Sequence, residues 1–143
     1  MSPGYRFPNT PGKPGEPVKV EDTHPLTTLT VKSVIASPGE ASKLKLAAHV
    51  IKGAAWAGES DITKVEISVD GGATWNDAVL GKDHAKYAWR LWTYEWKPER
   101  GGDYALLSRA TDNQGKVQPE TPVWNPSGYL ANAYDRVNVY VQA

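Results

Sequence analysis

Between Asp61 and Trp75, Val65, Ile67 and Val69 alternate with Lys64, Glu66 and Ser68. A two-residue period sends successive side chains to opposite faces of an extended chain, so this run predicts a half-buried strand and excludes an amphipathic helix. Asp70-Gly71-Gly72 follows, and glycine reaches positive φ without a Cβ clash, as a tight reversal requires. Trp75 then supplies a flat side chain able to close over the turn.

The same grammar recurs along the chain. Thr30–Ser37 reads as a strand stopped by Pro38-Gly39. Lys43–Val50 alternates, with Leu44, Leu46, Ala48 and Val50 expected inward. Gly53-Ala54-Ala55-Trp56-Ala57-Gly58 suggests a bulge or a close backbone approach. Asp77–Leu80 is a short strand. Ala88–Trp96 places Trp92, Tyr94 and Trp96 on one face and Trp89 and Leu91 on the other. Asp103–Thr111 and Arg136–Gln142 complete the set, the last with Val137, Val139 and Val141 inward. About seven strands at short spacing, without a credible helix, predict an all-β immunoglobulin-like sandwich. Its expected core is Leu46, Val50, Val65, Ile67, Val69 and Val139.

Residues 1–28 are read as a proline-rich extended arm and 29–143 as the folded domain. Pro3, Pro8, Pro11, Pro14, Pro17 and Pro25 remove donors and fix φ, so the arm is expected outside any sheet, with Tyr5, Arg6 and Phe7 as possible anchors. Sixteen basic and sixteen acidic residues cancel, which argues against nucleic acid or an anionic membrane as partner. No apolar run reaches the ~20 residues of a membrane span, and no signal-peptide pattern opens the chain. This suits a cytoplasmic protein, a processed form or a fragment. The absence of cysteine excludes disulfides and thiolate ligands. Six Trp and seven Tyr against one Phe suit surfaces that are half dry and half wet.

Chemistry-bearing constellations are sparse. His24, His49 and His84 lie far apart, and none pairs with another ligand at metal-binding spacing. Glu59 and Asp61 suit a solvated turn better than acid–base work. The row Trp92, Tyr94, Trp96 can stack sugars or bases, but filling a core or a subunit interface is the better reading. Arg90 and Arg109 are explained by pairing with acidic neighbours or by solvated sheet faces. Ser68–Trp75 fits the S-x-D-x-G-x-T-W Asp-box of sialidase-like propellers. A single copy points to a shared hairpin and not to a propeller, which must repeat in order to close.

Taken in order, five segments resemble the C-terminal dimerisation domain of the sulfite oxidase family of molybdenum enzymes. They are Val31–Ile35, Gly53–Gly58, Val65–Trp75, Arg109-Ala110-Thr111-Asp112, and Trp124-Asn125 with Gly128-Tyr129 and Asn132. The resemblance spans Val31 to Ala143, and Tyr5-Arg6-Phe7-Pro8 is similar to the segment leading out of the catalytic domain in bacterial sulfite dehydrogenases. It implies a domain that pairs two identical subunits of a periplasmic oxidoreductase, with a molybdopterin catalytic domain upstream and a cytochrome as electron acceptor. It further implies that the molybdenum-bound cysteine lies in that preceding domain, so this chain carries no catalytic, cofactor-binding or metal residue. The interface or pocket-facing residues it implies are Arg109, Trp124, Asn125, Ser127, Tyr129 and Asn132. Where vertebrate members read Trp-Asn-Leu-Arg-Gly, this chain reads Trp124-Asn125-Pro126-Ser127-Gly128, and a hydroxyl cannot reproduce a guanidinium's two-pronged hold on an oxyanion. The different-class alternative is an extracellular carbohydrate- or partner-binding sandwich.

Overall fold

A computed structural model describes residues 4–143; Met1, Ser2 and Pro3 of the arm lie outside the described residues. Eleven strands run in chain order: β1 Arg6–Pro8, β2 Thr23–Pro25, β3 Lys32–Ser37, β4 Ser42–Lys45, β5 His49–Trp56, β6 Ile62–Ser68, β7 Asn76–Asp77, β8 Val79–Leu80, β9 Arg90–Trp96, β10 Gly102–Asp112 and β11 Asp135–Gln142. Apart from a 3₁₀ turn at Val20–Asp22, no helix occurs among the described residues, and no helix is long and apolar enough to cross a membrane.

Two sheets form the domain, one of five strands ordered β4-β11-β10-β6-β7 and one of four ordered β3-β5-β9-β8. Ile35, Ile51, Ala55, Trp92 and Trp96 from the smaller sheet merge with Val65, Ile67, Leu106, Ala110, Val137, Val139 and Val141 from the larger into one buried cluster. The chain is therefore a β-sandwich. Trp96 meets Tyr104 across the layers, edge to face at 5.0 Å between centroids. The alternation of β9 holds: Trp92 is 1% exposed, while Leu91 faces outward at 60%. The aromatic row fills the core. Gly53 is required beside it, since a Cβ there would lie 2.1 Å from the Val34 carbonyl oxygen and 2.2 Å from the Trp92 ring. The close approach expected in Gly53–Gly58 is thus real, and Gly58, at φ +59°, makes a second against the backbone of Leu29.

Three expectations are corrected. Lys43–Val50 is not one strand. β4 pairs parallel with β11 in the larger sheet, whereas β5 pairs with β3 and β9 in the smaller. The link at residues 46–48 changes sheets and resets the parity. Leu44 packs on the core from β4, and the inward residue of β5 becomes Ile51. Leu46 and Val50, expected in the core, are each 45% exposed, and Ala48 is exposed as well. Asp77–Leu80 likewise splits, with β7 on β6 and β8 on β9. The arm does enter a sheet: β1 and β2 pair antiparallel through Arg6↔Pro25, Phe7↔His24 and Pro8↔Thr23. Proline is tolerated there because a two-stranded ribbon is all edge. Arg6 fastens it, its Nε donating to Thr23 Oγ1 at 2.6 Å.

Candidate functional site

The Asp-box turn is built by its side chains. Ser68 Oγ donates to the Asp70 carboxylate at 2.7 Å and accepts from the Gly72 amide at 2.8 Å. Asp70 also accepts from the Thr74 amide at 2.9 Å and from Thr74 Oγ1 at 2.5 Å. Hydrogen bonds to the charged form favour it, so Thr74, with Ser68 second, holds the Asp70 carboxyl down at about 2 from 3.8. The turn folds back over the outer face of the larger sheet. Gly72 sits over Leu107, and Trp75 covers Arg109, whose Cζ lies 4.1 Å from the indole centroid. Trp75 therefore caps the sheet beside the turn and does not plug the turn itself.

Arg109 stands opposite Glu66 in the β10–β6 register. Its Nε donates to Glu66 Oε2 at 2.9 Å and its Nη1 to the Tyr134 hydroxyl at 3.3 Å. Tyr134 completes the group by meeting Trp75 edge-on at 5.1 Å. The Arg109 hydrogen bond pulls the Glu66 carboxyl below its ordinary value, and Glu66 in turn raises Arg109. This guanidinium is committed to holding the hairpin on the sheet. Of the two arginines weighed from the sequence, Arg90 also binds locally, donating to the Gly81 carbonyl at 3.0 Å.

The remaining residues carried over from the resemblance lie in the long connection between β10 and β11. Buried Asn125 closes its own turn from both ends, donating to the Tyr129 carbonyl at 2.8 Å and accepting the Tyr129 amide at 2.9 Å. Ser127 is exposed between them. The Tyr129 ring stacks on Tyr5 at 5.4 Å, and Gly12 lies against Trp124, so the arm runs along this loop and Tyr5 is an anchor. Trp124, Asn125, Ser127 and Tyr129 thus form one unit, while Arg109 belongs to the Trp75 cluster. Asn132 turns the other way, donating to the Val31 carbonyl at 3.1 Å.

That contact is part of a device the sequence reading missed. The free edge of β3 is covered by side chains: Asn132 at Val31, Gln118 at Ser33, and Asp135 accepting the Ile35 amide at 2.7 Å. Gln118 is wholly buried. Its Oε1 accepts from Ser33 at 2.7 Å and from Ala110 at 3.1 Å, and its Nε2 donates to the Ala133 carbonyl at 2.7 Å. One side chain therefore ties the edge of the smaller sheet to β10 of the larger, and it satisfies groups that would otherwise template edge pairing. A glutamine in a polar loop carries no sequence signal for this.

The donor set does not fit a thiolate-held molybdenum. The chain has no cysteine, and among the described residues no three His, Cys, Asp or Glu side chains converge. His84 pairs instead with Asp61 at 3.2 Å.

Comparison with known proteins places this geometry. The family model described as "Mo-co oxidoreductase dimerisation domain" matches residues 23–142. Human mitochondrial sulfite oxidase is 34% identical over 140 residues, covering 92% of this chain and 26% of that protein. Barley nitrate reductase [NAD(P)H] is 32% identical over 130 residues, 81% of this chain and 15% of that protein. Among solved structures, the sulfane dehydrogenase SoxCD from Paracoccus pantotrophus matches with a TM-score of 0.55 and 33% identity, covering 64% of this chain and 24% of that one. The chain thus spans about a quarter of the sulfite oxidase it matches. It belongs to the Mo-co oxidoreductase dimerisation domain family.

Proposed function

We propose that this chain is the non-catalytic module through which a molybdenum-cofactor oxidoreductase of the sulfite oxidase type pairs two identical subunits. The family match across residues 23–142 carries the reading. The sequence has no cysteine to hold the metal, so in this reading the cofactor belongs to a separate part of the parent enzyme. The arm, stacked through Tyr5 on the Tyr129 loop, is the segment from which the domain would hang. The immunoglobulin-like assignment draws support from strand order, with β3-β5-β9-β8 facing β11-β10-β6 as the ABED and GFC sheets face each other in that fold. A periplasmic setting and a cytochrome acceptor complete the proposal and rest on the family likeness alone. The carbohydrate-binding alternative loses its platform, since Trp92 and Trp96 are buried.

Two measurements on the purified chain test the reading. Sedimentation equilibrium at ~100 µM is expected to give a dimer, a concentration that reveals even a 10 µM affinity. Elemental analysis is expected to find no stoichiometric molybdenum. A strict monomer, or bound molybdenum, would refute the reading.

A further inference from the structure

The outer faces of the two sheets differ in kind. On the larger sheet, Lys43, Lys64, Glu66, Asp77, Asp103, Arg109 and Arg136 point outward in an array of both signs, with Lys64 and Arg109 both paired to Glu66. On the smaller sheet, the register lines up Val34, Ala54 and Leu91 across three strands. Trp56 follows by alternation on the same face, and Trp89 stacks on it at 5.5 Å. Val79 lies opposite Thr93 on the adjoining β8. Leu91, Trp89, Val79 and Val50 are 60%, 65%, 69% and 45% exposed. With ordinary side-chain areas these four leave roughly 450 Å² of apolar surface on one face, within the ~300–600 Å² of the largest apolar patch on a typical monomer, a size that is often functional.

From this patch we infer that the outer face of β3-β5-β9-β8 is the surface on which a second copy of the chain docks about a two-fold axis. The inference rests on the dimerisation reading and adds where the partner sits. Area supports it: a standard interface of about 800 Å² per partner is somewhat over half apolar, or ~450–500 Å². Charge supports it too. Lys52 and Glu95 lie on the same face, Lys52 between Val50 and Ala54 on β5 and opposite Thr93, and Glu95 opposite Val50. Among the described residues neither side chain has a partner within the chain. A two-fold axis brings Lys52 of one copy to Glu95 of the other, twice, so the face is complementary to itself.

Sedimentation equilibrium on the 143-residue chain and its variants decides the matter. Leu91→Glu is expected to weaken the dimer by roughly tenfold or more, because it places a charge within the exposed apolar surface beside Trp89 and Val79. Lys52→Glu should also weaken it, and the double variant Lys52→Glu/Glu95→Lys should restore it, a rescue that holds even if Leu91→Glu fails to fold. Arg136→Glu, on the opposite face, should leave association unchanged. A wild-type dimer that ignores Leu91→Glu and Lys52→Glu but dissociates in Arg136→Glu overturns the face while leaving the dimerisation reading intact. Loss in Lys52→Glu without recovery in the double variant overturns the two-fold pairing. A monomeric wild type removes the underlying reading as well.

Discussion

Replacing Gln118 with Leu should open the corner of the sandwich. Leucine keeps similar bulk in a wholly buried site but offers nothing to the Ser33 and Ala110 amides, which now bond Oε1, or to the Ala133 carbonyl, which now accepts from Nε2. An orphaned buried polar group costs about 1–3 kcal/mol, so the loss should reach about 3–5 kcal/mol. That is a large part of the ~5–15 kcal/mol that keeps a domain folded, and at ~3 °C per kcal/mol it lowers Tm by roughly 10–15 °C. Urea unfolding followed by tryptophan fluorescence, with calorimetry for Tm, measures it. Gln118→Glu adds a signature in pH. Only the protonated acid can donate to Ala133, and burial also opposes the charge, so the carboxyl is raised in the folded state. The folded form then binds the extra proton, and the variant comes closest to wild type below the ordinary glutamate value of about 4.3, losing stability as pH rises above it. A Gln118→Leu protein within ~1 kcal/mol of wild type would show that water or a backbone shift fills the corner, and the clamp argument would fail.

Gly53→Ala forces a methyl into the Val34 carbonyl and the Trp92 ring, and since backbone must yield it should cost about 3 kcal/mol or more; an unchanged urea midpoint would contradict the close approach. Asp70 sits at about 2 instead of 3.8, so its contribution to stability is complete above pH 3.8 and disappears as pH falls toward 2. Asp70→Asn should flatten that part of the stability–pH curve, and equal slopes for the two proteins would count against the Asp-box bonds. Glu66, lowered chiefly by Arg109, acts in the same direction below its ordinary 4.5. Arg109→Met should free Trp75 from the sheet, read as higher iodide quenching of tryptophan emission, and quenching equal to wild type would mean that the hairpin holds itself in place.

Where one strand stays in one sheet, the chain's own alternation determined its faces. Val65 and Ile67 on β6, Trp92 and Trp96 on β9, and Val137, Val139 and Val141 on β11 all point inward as their period requires. The Asp-box hairpin was equally legible, because its bonds join residues at most four apart. Tertiary structure decided what local pattern cannot carry. Leu46 and Val50 continue an alternation that looks unbroken, yet the chain leaves one sheet after Lys45 and enters the other at His49, and three linking residues reverse the parity. Arg109, Asn125 and Asn132 could be singled out by type and order, but only the folded chain sends Arg109 to Glu66 and Trp75, closes Asn125 on its own turn, and turns Asn132 to the β3 edge. Gln118 was invisible for the same reason. Its partners Ser33 and Ala110 lie 85 and 8 residues away, in different sheets. A period encodes which side of a strand is dry, whereas the closure of an edge depends on which distant backbone groups the packing leaves unpaired.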